Sequence, residues 1–180
     1  GCSVCNNYDI KFIDDYGFII MLLRGKEESR LIALGKNTHK IIWDITVEDN
    51  SISEFFIINN LILLSSNRIG DDSGESALFV YDAFSGMQKF VKEFPRYGQN
   101  PVTFEILKEY NELTQDSSAI LLLINRDKIK EFRMVDNSGN TKWDASLDFQ
   151  ILRRFDIQFD KEEKILILSG EKDIYTLHTQ

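Results

Sequence analysis

Few residues in this chain could do chemistry, and they are scattered. Cys2 and Cys5 stand together as a C-x-x-C pair. A dithiol redox site needs such a pair at a helix N-terminus inside a βαβ unit, where the thiol pKa is depressed. The stretch that follows, Tyr8-Asp9-Ile10-Lys11, has no such pattern. A zinc site needs two more ligands, and the only histidines are His39 and His178. Neither histidine has a Ser or Cys partner in a hydrolase motif. Asp71, Asp72 and Glu75 form the densest carboxylate group, on a Gly/Ser-containing stretch. Carboxylates and carbonyls are the donors calcium takes, but the spacing fits no calcium loop and reads as a solvated polar turn. Trp43-Asp44 and Trp143-Asp144 read as a packed indole beside a solvated carboxylate. There is no phosphate-cradling glycine loop and no N-glycosylation sequon. The sequence therefore predicts no catalytic residue, no metal and no cofactor, and the chain is expected not to be an enzyme.

One further chemistry concerns modification. Gly1-Cys2 resembles the end of a bacterial lipoprotein signal, where a small residue precedes the cysteine that is acylated. On that reading Cys2 is a lipid-attachment site, an apolar signal region has been removed, and the protein lies in the bacterial envelope or periplasm. The alternative is a frayed end with two inert thiols in a cytoplasmic protein. In both, residues 1–7 are expected to be a flexible segment ahead of one domain spanning 8–180.

Charge narrows the partners. Lys plus Arg total 21 against 29 Asp plus Glu, a net charge of −8. That field repels a phosphate backbone, and the pair Arg153-Arg154 has no aromatic platform beside it, so nucleic acid is excluded. The partner expected is another protein. Apolar runs such as Phe18–Leu23 and Ala119–Ile124 are strand-sized, well short of the roughly 20 residues of a spanning helix. Membrane contact is expected only through a lipid on Cys2.

The elements that must position these residues are strands throughout. Tyr8–Ile13, Phe18–Arg24, Arg30–Leu34 and His39–Val47 alternate or run apolar between polar turns. Four strands in about forty residues is the size of one propeller blade. Ser53–Ile58, Leu61–Ser66 and the hairpin Ser76–Phe94 make a second round, with a polar loop at Asn67–Glu75. Val102–Leu107, which reads as a strand or a short helix, begins a third with Ala119–Asn125, Glu131–Val135 and Thr141–Leu147. A fourth has Phe155–Phe159, Ile165–Ser169 and Ile174–His178.

The hairpins repeat. LIALGKNTHKIIWDI, LFVYDAFSGMQKFVKE and EFRMVDNSGNTKWDAS each run as apolar strand, polar turn, Lys and aromatic. The aromatics Trp43, Phe90 and Trp143 are separated by 90 − 43 = 47 and 143 − 90 = 53 residues, a blade period. A single blade cannot bury both faces, so blades must stack; the aromatic of each outer strand is expected between them.

At these residues the chain resembles the β-propeller repeat of the pyrroloquinoline-quinone-enzyme type, and its two Trp-Asp pairs are WD-repeat-like. Leu78–Phe90 matches the repeat, with Phe90 in place of Trp, and Arg133–Trp143 keeps Asp136, Ser138, Gly139 and Trp143 with a turn one residue shorter. The first copy has Gly35 and His39 near the places of the Asp and Gly. The resemblance implies an all-β, propeller-like array of four-stranded antiparallel blades; a single closed β-barrel is the alternative, and leaves the repeated hairpins unexplained. Members of this type that are not quinone enzymes, such as the bacterial outer-membrane assembly lipoprotein with this repeat, serve as binding scaffolds. A quinone enzyme needs about eight blades, calcium ligands and an aspartate base. The expectation is thus a non-enzymatic scaffold that binds a protein. The alternatives are a fragment of a larger propeller, enzyme or sensor, and a small acidic inhibitor or immunity-type protein.

Overall fold

The computed structural model describes residues 7–13, 17–25, 28–48, 52–58, 60–66, 75–96, 102–107, 119–126, 129–148, 155–160, 162, 165–170 and 174–178. Every regular element among them is a strand. In order these are β1 (Asn7–Ile13), β2 (Phe18–Arg24), β3 (Ser29–Gly35), β4 (Ile41–Val47), β5 (Ile52–Ile58), β6 (Leu61–Ser66), β7 (Ser76–Asp82) and β8 (Gln88–Phe94). They continue as β9 (Thr103–Ile106), β10 (Ala119–Arg126), β11 (Ile129–Asp136), β12 (Thr141–Asp148), β13 (Phe155–Asp160), β14 (Ile165–Gly170) and β15 (Ile174–His178). The open choice at Val102–Leu107 falls to a strand. Among the described residues no helix is long and apolar enough to cross a membrane.

The strands form four separate sheets, ordered β1-β2-β3-β4, β5-β6-β7-β8, β12-β11-β10-β9 and β13-β14-β15. Each sheet runs in chain order, as short turns between antiparallel neighbours require. The closed-barrel alternative is thereby corrected: a barrel needs one continuous ladder, and here pairing restarts at β5, β9 and β13.

The chain divides into two compact units, Gly1–Arg68 with Ala77–Glu93, and Ile69–Ser76 with Phe94–Gln180. In the first, Ile20, Leu22, Leu31, Ala33 and Val47 of sheet one share a core with Phe55, Ile62, Leu64 and Tyr81 of sheet two. Alternation makes this possible, because residues two apart point to one face. Burial pushes the Tyr81 phenol up to about 12, so it stays neutral. β6 departs from simple alternation: all of Leu61–Ser66 is buried, the signature of a strand covered on both faces. In the second unit Leu121, Leu123, Phe132 and Met134 of sheet three pack with Leu166 and Leu168 of sheet four. Phe94 lies against Phe104 with ring centroids 4.6 Å apart.

The repeat recurs in backbone detail. Pairing of β3 with β4 shifts between Ala33 and Leu34, opposite the step from Trp43 to Ile41, and pairing of β11 with β12 shifts between Met134 and Val135, opposite Trp143 and Thr141. Each is a one-residue bulge placed immediately before the tryptophan, at Ile42 and Lys142. Trp43 packs against the core between sheets one and two, and Trp143 against that between sheets three and four. The aromatics do sit between blades, as expected for these two copies.

Candidate interaction surface

The turns after β3, β7 and β11 give this fold its exposed end groups. In the second, the Asp82 carboxylate accepts hydrogen bonds from Phe84 N at 3.1 Å, Ser85 N at 2.9 Å and Ser85 Oγ at 2.9 Å. Gly86 N donates to Asp82 O at 2.9 Å, with Gly86 at φ +70°. In the third, Asp136 accepts from Ser138 N at 2.8 Å and Asn140 N at 2.9 Å, and Gly139 sits at φ +81°. Partial burial pushes the Asp82 carboxyl up; the donors from Ser85 and Phe84 and the nearby Lys89 outweigh it and hold it below the ordinary range. Asp136 is held low chiefly by the Asn140 and Ser138 N–H groups. Both are turn residues.

His39 is the same kind of residue. It takes φ +53°, and its N–H donates to Gly35 O at 2.8 Å, as Gly86 N does to Asp82 O. A strand starting at His39 is thus corrected to one starting at Ile41, with His39 in the left-handed place that Gly86 fills. His178 ends β15 and is exposed. Among the described residues no group of three or more His, Cys, Asp and Glu could hold a metal. Cys2, Cys5, Asp71, Asp72, Arg153 and Arg154 lie outside the described residues; Glu75 is exposed just before β7. Asp44 is paired with Arg30, whose Nε lies 3.2 Å from Asp44 Oδ1.

Beside its polar turns the first unit also exposes apolar side chains. The turn 83–87 is seated on Trp43, whose Nε1 donates to Ala83 O at 3.2 Å. A Cβ on Gly86 would meet the indole Cδ2 at 2.8 Å, so only glycine lets this turn approach so closely. Phe84 makes an edge-to-face contact with Phe18, centroids 6.0 Å apart. Around this junction Met87 is 70% exposed, Ile41 61%, Ile42 45% and Phe84 39%. Four large apolar side chains next to one packed tryptophan make a surface suited to a protein partner. Sequence reading missed it because the hydrophobics flank a turn and follow no strand period.

It also missed a charged group on the third sheet. Glu131, 5% exposed, pairs with Arg133 through Oε1 and lies 3.5 Å from Arg126 Nη1 through Oε2. The signal available was Glu131 and Arg133 two apart on an otherwise apolar strand.

No protein-family model matches the chain, and no curated protein sequence matches it. Solved structures do. BamB from Moraxella catarrhalis is similar with a TM-score of 0.52 at 15% identity, over 89% of this chain and 46% of that one. The Dos1 propeller is similar with a TM-score of 0.50 at 13% identity, over 93% and 40%. The fold is a β-propeller. This chain spans less than half the length of these propellers. A third match, the quinohemoprotein alcohol dehydrogenase ADHIIG from Pseudomonas putida HK5, has a TM-score of 0.49 at 12% identity, over 89% and 31%. The expectation that the chain is not an enzyme is corrected here, since a propeller fold is compatible with catalysis as well as with binding. Motif searching registers reactions with a contiguous signature, whereas residues gathered from separate strands leave none, and the fold itself does not choose.

Proposed function

We propose that the chain is part of a larger β-propeller that binds a protein partner through the exposed end of its first unit. The observation carrying this reading is the cluster Ile41, Ile42, Phe84 and Met87 around Trp43. Burying such side chains is worth about 25 cal/mol per Å² of apolar area, and a solvated site of this kind gains most from a matching apolar surface. Membership in a larger propeller is supported by coverage of under half of the similar structures. Tethering to a bacterial envelope through a lipid on Cys2 is the accompanying localisation, supported by Gly1-Cys2 alone.

Site-specific photo-crosslinking in the native cell tests the surface. A crosslinker at Met87 should give one discrete adduct, absent when it stands at Glu162 and lost on Ile41→Lys. A Met87 probe that yields no adduct, or the same adducts as Glu162, refutes the surface. Mass spectrometry of the natively expressed protein should find diacylglycerol on Cys2; an unmodified Cys2 removes the tether without touching the binding surface.

A further inference from the structure

We propose that the outer face of sheet one docks the outer face of sheet four from a second copy of this chain, so that two copies make up one ring. This pairing rests on the reading that the chain is part of a larger propeller, and names what supplies the remainder. Register defines the first face. Phe18 pairs with Gly35 and Leu61 with Asp82, and the Gly35 and Asp82 carbonyls close equivalent turns. Ile19 and Met21 of β2 therefore hold the places of Ile62 and Leu64 of β6. Ile62 and Leu64 are 0% exposed, packed in the core shared with sheet one. Ile19 and Met21 alternate with Ile20 and Leu22, which enter that core, so they point to the opposite face. There they stay only half-buried, as do Leu23 and Leu34. Ile32 shares this face, and Arg30 and Asp44 on it pair with each other. An apolar row that sheet two buries under a neighbouring sheet is left open in sheet one.

Sheet four offers the side that such a row meets. Sheet one meets sheet two through Ile20 and Leu22; the corresponding side of sheet four is the one turned away from sheet three. Leu166 and Leu168 enter the core with sheet three, so Ile165 and Ile167 point the other way. Ile174 and Thr176, paired with Ser169 and Ile167, lie on that same side. Ile174 is 73% exposed, and Thr176 and His178 are exposed too. The polar residues of this side lie along β13, where Gln158 is exposed and Asp160 accepts the Glu162 N–H of its own turn at 3.0 Å. Extent favours a second copy as the occupant. The chain matches 46% of the length of BamB and 40% of the Dos1 propeller, so a ring of that size has room for a second chain of equal length. A two-fold axis makes both junctions alike, each joining sheet one of one copy to sheet four of the other.

Sedimentation of the purified chain tests this, and a dimer of twice the chain mass is expected. Ile174→Glu and Met21→Glu should each weaken dimerisation about a hundredfold or more, because a carboxylate would be buried without a partner. Far-UV circular dichroism checks that each variant folds; if Met21→Glu does not, the exposed site of Ile174→Glu decides. Mixing the two variants should restore a dimer, since one of its junctions joins two unaltered faces. A monomer, open-ended oligomers, or a dimer that Ile174→Glu leaves intact overturns the pairing. Carbene labelling of Met21 separates two kinds of failure. A monomer with Met21 labelled rules out the second copy alone; a monomer with Met21 protected covers that face within its own chain and removes the larger ring as well.

Discussion

Gly86→Ala isolates the close approach between the turn and Trp43. Gly86 lies at φ +70°, and an added Cβ would sit 2.8, 3.0 and 3.1 Å from three indole carbons. The left-handed conformation costs an alanine about 1–2 kcal/mol, offset by about 0.4–1 kcal/mol because alanine restricts the unfolded chain. Carbon contacts settle near 3.5–4.0 Å, so the indole must yield by more than half an ångström, at about 1–3 kcal/mol for overpacking. The net expectation is a loss of about 2–4 kcal/mol. Gly17→Ala is the control: φ is +65°, and nothing lies within 4 Å of its Cβ, so it should lose only about 1 kcal/mol. Urea unfolding followed by circular dichroism reads both. The excess at Gly86 should vanish in a Trp43→Leu background, where the ring is gone. Equal losses at Gly17 and Gly86, or an excess that survives Trp43→Leu, refute the contact as its cause.

Other expectations are open to similar measurement. His39→Gly should be neutral or stabilise by up to about 1 kcal/mol by relieving the φ +53° backbone, and His39→Val should destabilise; thermal melts check the order. Trp43→Phe should cost about 1–2 kcal/mol, from the lost bond to Ala83 O and the smaller ring. Asp82 and Asp136 are both held low in the fold. The stability they add is full above the unfolded carboxylate pKa and is lost as pH falls through their folded values; Asp136→Asn should flatten stability against pH below about 4. Met87→Glu should leave the melting temperature unchanged within about 1 °C, because the side chain is 70% exposed.

The strands were legible because their turns are written in Asp, Gly, Asn and Pro, and because sheets covered on one face alternate. β6 and β10 were legible as continuous apolar runs. The repeat was legible at Asp82, Gly86, Asp136 and Gly139, whose side chains or φ angles the turn demands. It faded at Gly35 and His39, where backbone hydrogen bonds and Thr38 Oγ1 close the loop without a carboxylate, and the start of β4 was misplaced for that reason. The candidate surface was not legible. Exposure of Met87 and Ile41 depends on where the neighbouring turn rests, which no local pattern encodes. The Arg126–Glu131–Arg133 group depends on pairing between two strands, and only its β11 half shows as a spacing.

The three hairpin turns reach the same left-handed residue by different means: His39 with no carboxylate, Gly86 with one, and Gly139 with a loop shorter by one residue. Each carries hydrogen bonds of its own, but the second also rests on Trp43, so a turn grafted there should preserve the flanking strands only if it brings glycine to the left-handed place. A duplicated segment can then shed its telltale letters while its backbone persists. For such chains ancestry is recorded longer in the path of the main chain than in the identity of the side chains.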